Sequence, residues 1–239
     1  MKGTGHGLRK KATGVDYNSR NVSLYQVPLV CGAAPHIGCG GKSKPVLLEL
    51  EAHNDIAEAW LNRTGTVMAL VWENSSGSAS RKRIASAVFK KNKLDVEELK
   101  GGAHEKLLKD FRGQKNWLRG AGVDKLSEEE AEIVADRLVS RINAKTPLIK
   151  EKSKTLEREF TRVFKKWFTQ HYSSSAINNN EAKMVEGREE KIKNELVEVG
   201  EKYLNETEMN ALKEAIALGR RPTEDESKNS KMPLRRRIT

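Results

Sequence analysis

Apolar and polar positions divide the chain near Gly101-Gly102. Before that point short β-type runs are interleaved with short helical ones; after it only the three- and four-residue spacing of helices continues. SLYQVPLV, from Ser23 to Val30, predicts a strand, with Pro28 suited to an edge or bulge. Pro45 suits a first helical turn. Val46, Leu47, Leu50, Ile56 and Ala57 mark an apolar face, predicting a helix from about Pro45 to His53. EAWLNRTGTVMALVWE predicts a hairpin turning at Thr64-Gly65, with Ala59 and Leu61 alternating before the turn and Val67, Ala69 and Val71 after it. A polar NSSGSAS linker precedes RKRIASAVFKKN, where Ile84, Ala87 and Val88 recur at helical spacing, and LDVEEL supplies a short edge strand.

Strand, helix, strand, strand, helix, strand is the arrangement of a ferredoxin-like βαββαβ sandwich, so the expected class is α+β with a mainly α-helical domain behind it. In that second part Ser127 and Glu130 suggest a capping box opening a helix through Val134, Leu138 and Ile142 to Thr146-Pro147. Leu156, Phe160, Val163, Phe164 and Trp167 stripe the next helix, which SSSAINNN terminates. A third carries Ile192, Leu196, Val199 and Tyr203. A fourth opens at Asn205 with Glu208 and closes at Gly219. The expected organisation is a disordered basic arm (1–20), the α+β module (21–101), the helical domain (102–219) and a basic tail (220–239).

Composition narrows the class. With 37% hydrophobic and 32% charged residues and a mean hydropathy of −0.68, the 239-residue chain is expected to bury a modest core. No apolar run approaches the roughly 20 residues of a membrane helix. Residues 1–20 contain no apolar stretch of a secretory kind, and two cysteines are too few for a disulfide scaffold. A cytoplasmic protein with no membrane partner is expected. The net charge of +11 is concentrated at +4 in 1–20, +7 in 81–120 and +4 in 220–239. Such clusters attract nucleic acid or acidic protein, so a basic interaction or nucleic-acid-binding protein is the alternative function. However, neither RKR at 81–83 nor RRR at 235–237 has the interleaved aromatics of a single-strand platform.

The chemistry concentrates in CGAAPHIGCGGKSK. Cys31, His36 and Cys39 lie within nine positions among Gly32, Gly38, Gly40 and Gly41, and thiolates with imidazole suit Zn²⁺ or Cu(I). The helix beginning near Lys44 turns its positive end toward Cys39 and favours the thiolate, and Lys42 counters the thiolates' charge. A structural loop with an inert cysteine, a reversible disulfide and a looser anion nest stay open beside the metal reading. A phosphate-loop motif fails because His36 stands where a glycine is required.

No catalytic motif such as GxSxG or HExxH occurs, and His53, His104 and His171 stand alone, so an enzyme is not expected. The acidic run Glu128–Glu130 is accounted for by helix capping. The stripe Phe160, Phe164, Trp167, Phe168 is expected to be core. If the bundle left it uncovered, it would be a contact for a protein partner.

With its cysteine loop ahead of PVLLELEAHNDIAEAW, the hairpin EAWLNRTGTVMALVWE and the second helix, the stretch from about 23 to 99 resembles the heavy-metal-associated domain family. The resemblance implies a ferredoxin-like sandwich with a metal ion held by two cysteines between the first strand and first helix. The family's cysteines stand two residues apart, whereas seven residues separate Cys31 from Cys39. By position Cys39 is the closer match to a family ligand, and His36 has no counterpart.

Overall fold

The computed structural model describes residues 17–73, 77–169 and 181–229, with the backbone alone for 181–186 and 229. The expected arm up to residue 16, the middle of the Ser/Gly linker, His171, SSSAINNN and the tail from residue 230 with its Arg cluster lie outside the described residues.

The order is β1 (Val22–Gln26), α1 (Gly40–Glu51), β2 (Ile56–Asn62), β3 (Val67–Trp72), α2 (Ser78–Lys91), β4 (Glu97–Glu98), α3 (Gly101–Arg112), β5 (Trp117–Arg119), α4 (Asp124–Lys145), α5 (Lys150–Thr169), α6 (Glu181–Tyr203), α7 (Glu206–Ala217) and α8 (Glu224–Asn229). One antiparallel sheet runs β4-β1-β3-β2-β5. Leu24 stands opposite Ala69 across β1 and β3, and Trp60 opposite Ala69 across β2 and β3. The mixed helix-and-sheet class agrees with expectation; the sheet differs from it in carrying a fifth strand, and in being covered on both faces.

Both differences follow from β3. All six residues of VMALVW are buried, so this strand is two-sided. Met68, Leu70 and Trp72 join the core shared with Leu47, Leu50, Ile84 and Phe89 of α1 and α2. Val67, Ala69 and Val71 face the other way, onto Leu108 and Phe111 of α3 and Trp117 of β5. A large apolar side chain taken fully out of water contributes roughly 1.5–3 kcal/mol. Leu108 and Phe111, both at 0% exposure, therefore anchor α3 against the sheet. Arg119 fastens β5, its Nε 2.7 Å from Glu51 and its Nη1 3.2 Å from Glu58. Strand signals thus continue past Gly101, beyond the point where the sequence pattern turns helical.

Three local corrections matter for the site. α1 begins at Gly40 rather than Pro45, and Pro45 lies inside it. Ser43 Oγ donates to the carbonyls of Cys39 (2.8 Å) and Gly40 (3.2 Å), which closes the early turn. Ile56 and Ala57, expected on the helix, open β2 instead. α4 starts at Asp124, so Ser127 and Glu130 are no capping box; they share one buried face of the helix. The other expected box is present: Asn205 Oδ1 accepts from Glu208 N–H at 2.9 Å, and Glu208 Oε2 accepts from Asn205 N–H at 2.9 Å.

The bundle of α4 to α7 closes over Leu138, Ile142, Phe160, Phe164, Leu196 and Leu212, so the aromatic stripe of α5 is core, with Trp167 partly buried against it. The same continuous core extends through α1 and β2. No described helix is long and apolar enough to cross a membrane.

Candidate functional site

The cysteine loop is framed by backbone bonds. Val30 and Gly38 form an isolated antiparallel bridge, with Cys31 N–H donating to Ile37 O at 2.8 Å and Cys39 N–H to Leu29 O at 2.7 Å. The β2–β3 turn holds the loop from below: Leu29 N–H donates to Gly65 O (3.0 Å) and Gly38 N–H to Arg63 O (2.7 Å). Gly65 adopts φ +74°, and a Cβ there would fall 2.4 Å from Leu29 O and 2.5 Å from Gly38 Cα. The hairpin and loop backbones can meet this closely only as glycines.

Within this frame Cys31 and Cys39 converge, their thiols near enough to share a hydrogen bond. Their surroundings differ. Cys31 is buried at 2% exposure, while Cys39 is partly exposed at the N-cap of α1. Hydrogen bonding to Cys39, then burial, push the Cys31 thiol well above its ordinary range, against the backbone amides of Ala33 and Ala34. Cys39 is drawn down to about 7, first by the hydrogen bond from Cys31 and, against burial, by the Lys42 backbone amide and the Lys42 charge. The proton is held preferentially at Cys31 and the negative charge at Cys39.

α4 supplies what the loop lacks. Glu130, 8% exposed, comes up to Cys31, and its carboxyl is raised to about 7, first by burial and then by the nearby Cys31 side chain. Arg220 Nη1 stands 3.7 Å from Glu130 Oε1 and opposes that shift. Ser127 is buried at 1%, and its hydroxyl finds no hydrogen-bond partner among the described residues. It stands over Gly40, where a Cβ would come within 2.4 Å of Oγ. Lys44 pairs with Asp124 at 2.7 Å and Arg63 with Glu129, docking α4 on the loop. Arg221 lies over the loop from the C-terminal segment, its Nε 3.3 Å from the Cβ position of Gly32.

Of the residues expected at the site, Cys31 and Cys39 come together, and Lys42 stands in the first turn of α1 as an exposed residue. His36 does not join them: it is exposed on the turn between Pro35 and Ile37. Among the described residues no group of three His, Cys, Asp or Glu side chains is arranged to hold a metal ion. Sequence reasoning missed Glu130, Ser127 and Arg220, which are remote along the chain. The usable signal was the i,i+3 spacing of Ser127 and Glu130, which puts two polar groups on one face of a helix. No family model, no curated protein and no solved structure matches this chain.

Proposed function

We propose that the chain is a cytoplasmic metal-binding protein that takes up a soft, low-coordinate cation of the Cu(I) type between Cys31 and Cys39. The observation that carries this reading is the convergence of two sulfurs at the N-terminal end of α1, one of them poised as thiolate. Soft thiolate pairs favour Cu(I). Structural Zn²⁺ takes four ligands, which two sulfurs without His36 do not supply. A buried cysteine alone is ordinarily inert core. What argues against that here is Glu130, because a carboxyl sealed beside a buried thiol is costly unless the site uses it.

The βαββαβ order and the β4-β1-β3-β2 run of the sheet support a ferredoxin-like sandwich extended by β5, and with it the likeness to heavy-metal-associated domains. The test is titration of metal-free protein with Cu(I) against a chromogenic competing chelator. One ion per chain should be withdrawn from the chelator, with loss of both thiols to alkylation; Cys39→Ser should abolish this and His36→Ala should leave it intact. Retention of full affinity in Cys39→Ser would remove the reading.

A further inference from the structure

The same two sulfurs are arranged for a chemistry that needs no metal. The Val30–Gly38 bridge and its flanking bonds hold Cys31 and Cys39 on neighbouring extended segments, and their side chains converge. Of the two residues, Cys39 is partly exposed and Cys31 is buried. An incoming disulfide therefore meets Cys39 first, and the buried neighbour is the nearest thiol to finish the exchange. Three exposed cations stand near the loop: Lys42 on α1, Arg221 over Gly32, and Arg220, which pairs with Glu130 and Glu189, on the segment that follows α7. Such a cluster attracts an anionic partner and repels a cationic one.

We propose that Cys31 and Cys39 form a reversible dithiol–disulfide couple that exchanges with anionic low-molecular-weight disulfides of the glutathione type. The Cys39 thiolate attacks one sulfur of the oxidised partner, forming a mixed disulfide and expelling one partner thiolate. Cys31 then attacks Cys39 Sγ, closing the intrachain bond and expelling the second. Two protein thiols are oxidised, one external disulfide is reduced, and the two thiol protons leave on the two released thiols. Cys39 is the attacking group because it is the partly exposed member of the pair, whereas Cys31 is buried. The inference shares the sulfurs with the metal reading but does not depend on it.

Full-length protein in a metal chelator is incubated with glutathione disulfide, acid-quenched, alkylated and weighed by mass spectrometry. The expected product is a monomer lighter by two hydrogens with both thiols lost, preceded by a transient glutathione adduct on Cys39. Cys31→Ala should stop at that adduct. Cys39→Ala should react at least about tenfold more slowly, since the remaining thiol is sheltered. Cystamine, a cationic disulfide, should react more slowly than glutathione disulfide at low salt, with the difference shrinking as salt is raised.

Accumulation of the mixed disulfide without ring closure in the unaltered chain, or disulfide-linked dimers in its place, would overturn the couple, as would capture of Cys31 as fast as Cys39. Because the unaltered chain yields the order of events, the outcome stands even if a cysteine variant folds poorly. Ring closure in a chain that fails to bind Cu(I) would sink the metal reading and leave this one; the reverse pair of results would do the opposite.

Discussion

Cys31 and Cys39 carry one side chain into two environments. At Cys39 the chief influence is the thiol opposite, which donates to its sulfur; the Lys42 amide and charge act in the same direction. Alkylation of Cys39 in the unaltered chain, followed by peptide mapping, should therefore reach half its maximal rate near pH 7. In Cys31→Ala the leading cause is removed, so that midpoint should move upward toward an ordinary thiol. A midpoint that stays put would mean the helix end, and not the partner thiol, sets the charge. None of this asymmetry was legible in the sequence, where the two residues appear as equivalent members of a glycine-rich loop. Burial of one and partial exposure of the other are set by the packing of α4 and of the segment after α7.

At the scale of elements, the first turn of α1 decides where Cys39 stands. GGKSK has poor helix propensity, and Pro45 is a natural first-turn residue, so local preference puts the start too late. Tertiary contacts override it: Ser43 binds back to the loop carbonyls, Lys44 reaches Asp124, and Gly40 lets α4 approach. A methyl group at Gly40 would meet the Val123 carbonyl at 2.6 Å as well as Ser127, and backbone cannot swing aside. Gly40→Ala should destabilise the fold by about 1–3 kcal/mol, measured as a lowered denaturant midpoint, and should loosen Cys39. Gly102→Ala, where the added methyl meets nothing within 4 Å, is the control and should change little. A Gly40→Ala protein as stable as its parent would show that α1 and α4 do not rely on this approach.

For the whole molecule, the decisive contact ties the C-terminal segment back to the bundle. Arg141, buried on α4, grips Glu226 of α8 through Nε (2.8 Å) and Nη2 (2.9 Å), and donates to the carbonyls of Gly219 (2.5 Å) and Arg221 (2.9 Å). This grip carries Arg220 and Arg221 to the cysteine loop. The hydrogen bonds from Arg141 hold the Glu226 carboxyl at about 2, well below its ordinary 4.5. A carboxyl depressed in the folded state stabilises above its unfolded value, and the contribution fades as pH falls toward the folded one. Unfolding midpoints recorded between pH 5 and 2 should fall less steeply in Glu226→Gln than in the parent, and at pH 7 the variant should be the less stable. Identical pH profiles would show that the clamp contributes nothing measurable.

What the sequence determined alone is local. Periodicity marked most of the strands and helices, Asn205 with Glu208 declared a helix start, and two cysteines in a glycine-rich loop before a helix named the candidate site. The tertiary structure decided which groups meet there. Ser127 and Glu130 share a spacing that two different helix starts explain equally well, and only the docking of α4 on the loop separates them. Arg220 and Arg221 lie almost two hundred positions from Cys31, a separation across which no local pattern carries information. A continuous apolar core closing over both halves brings them within reach.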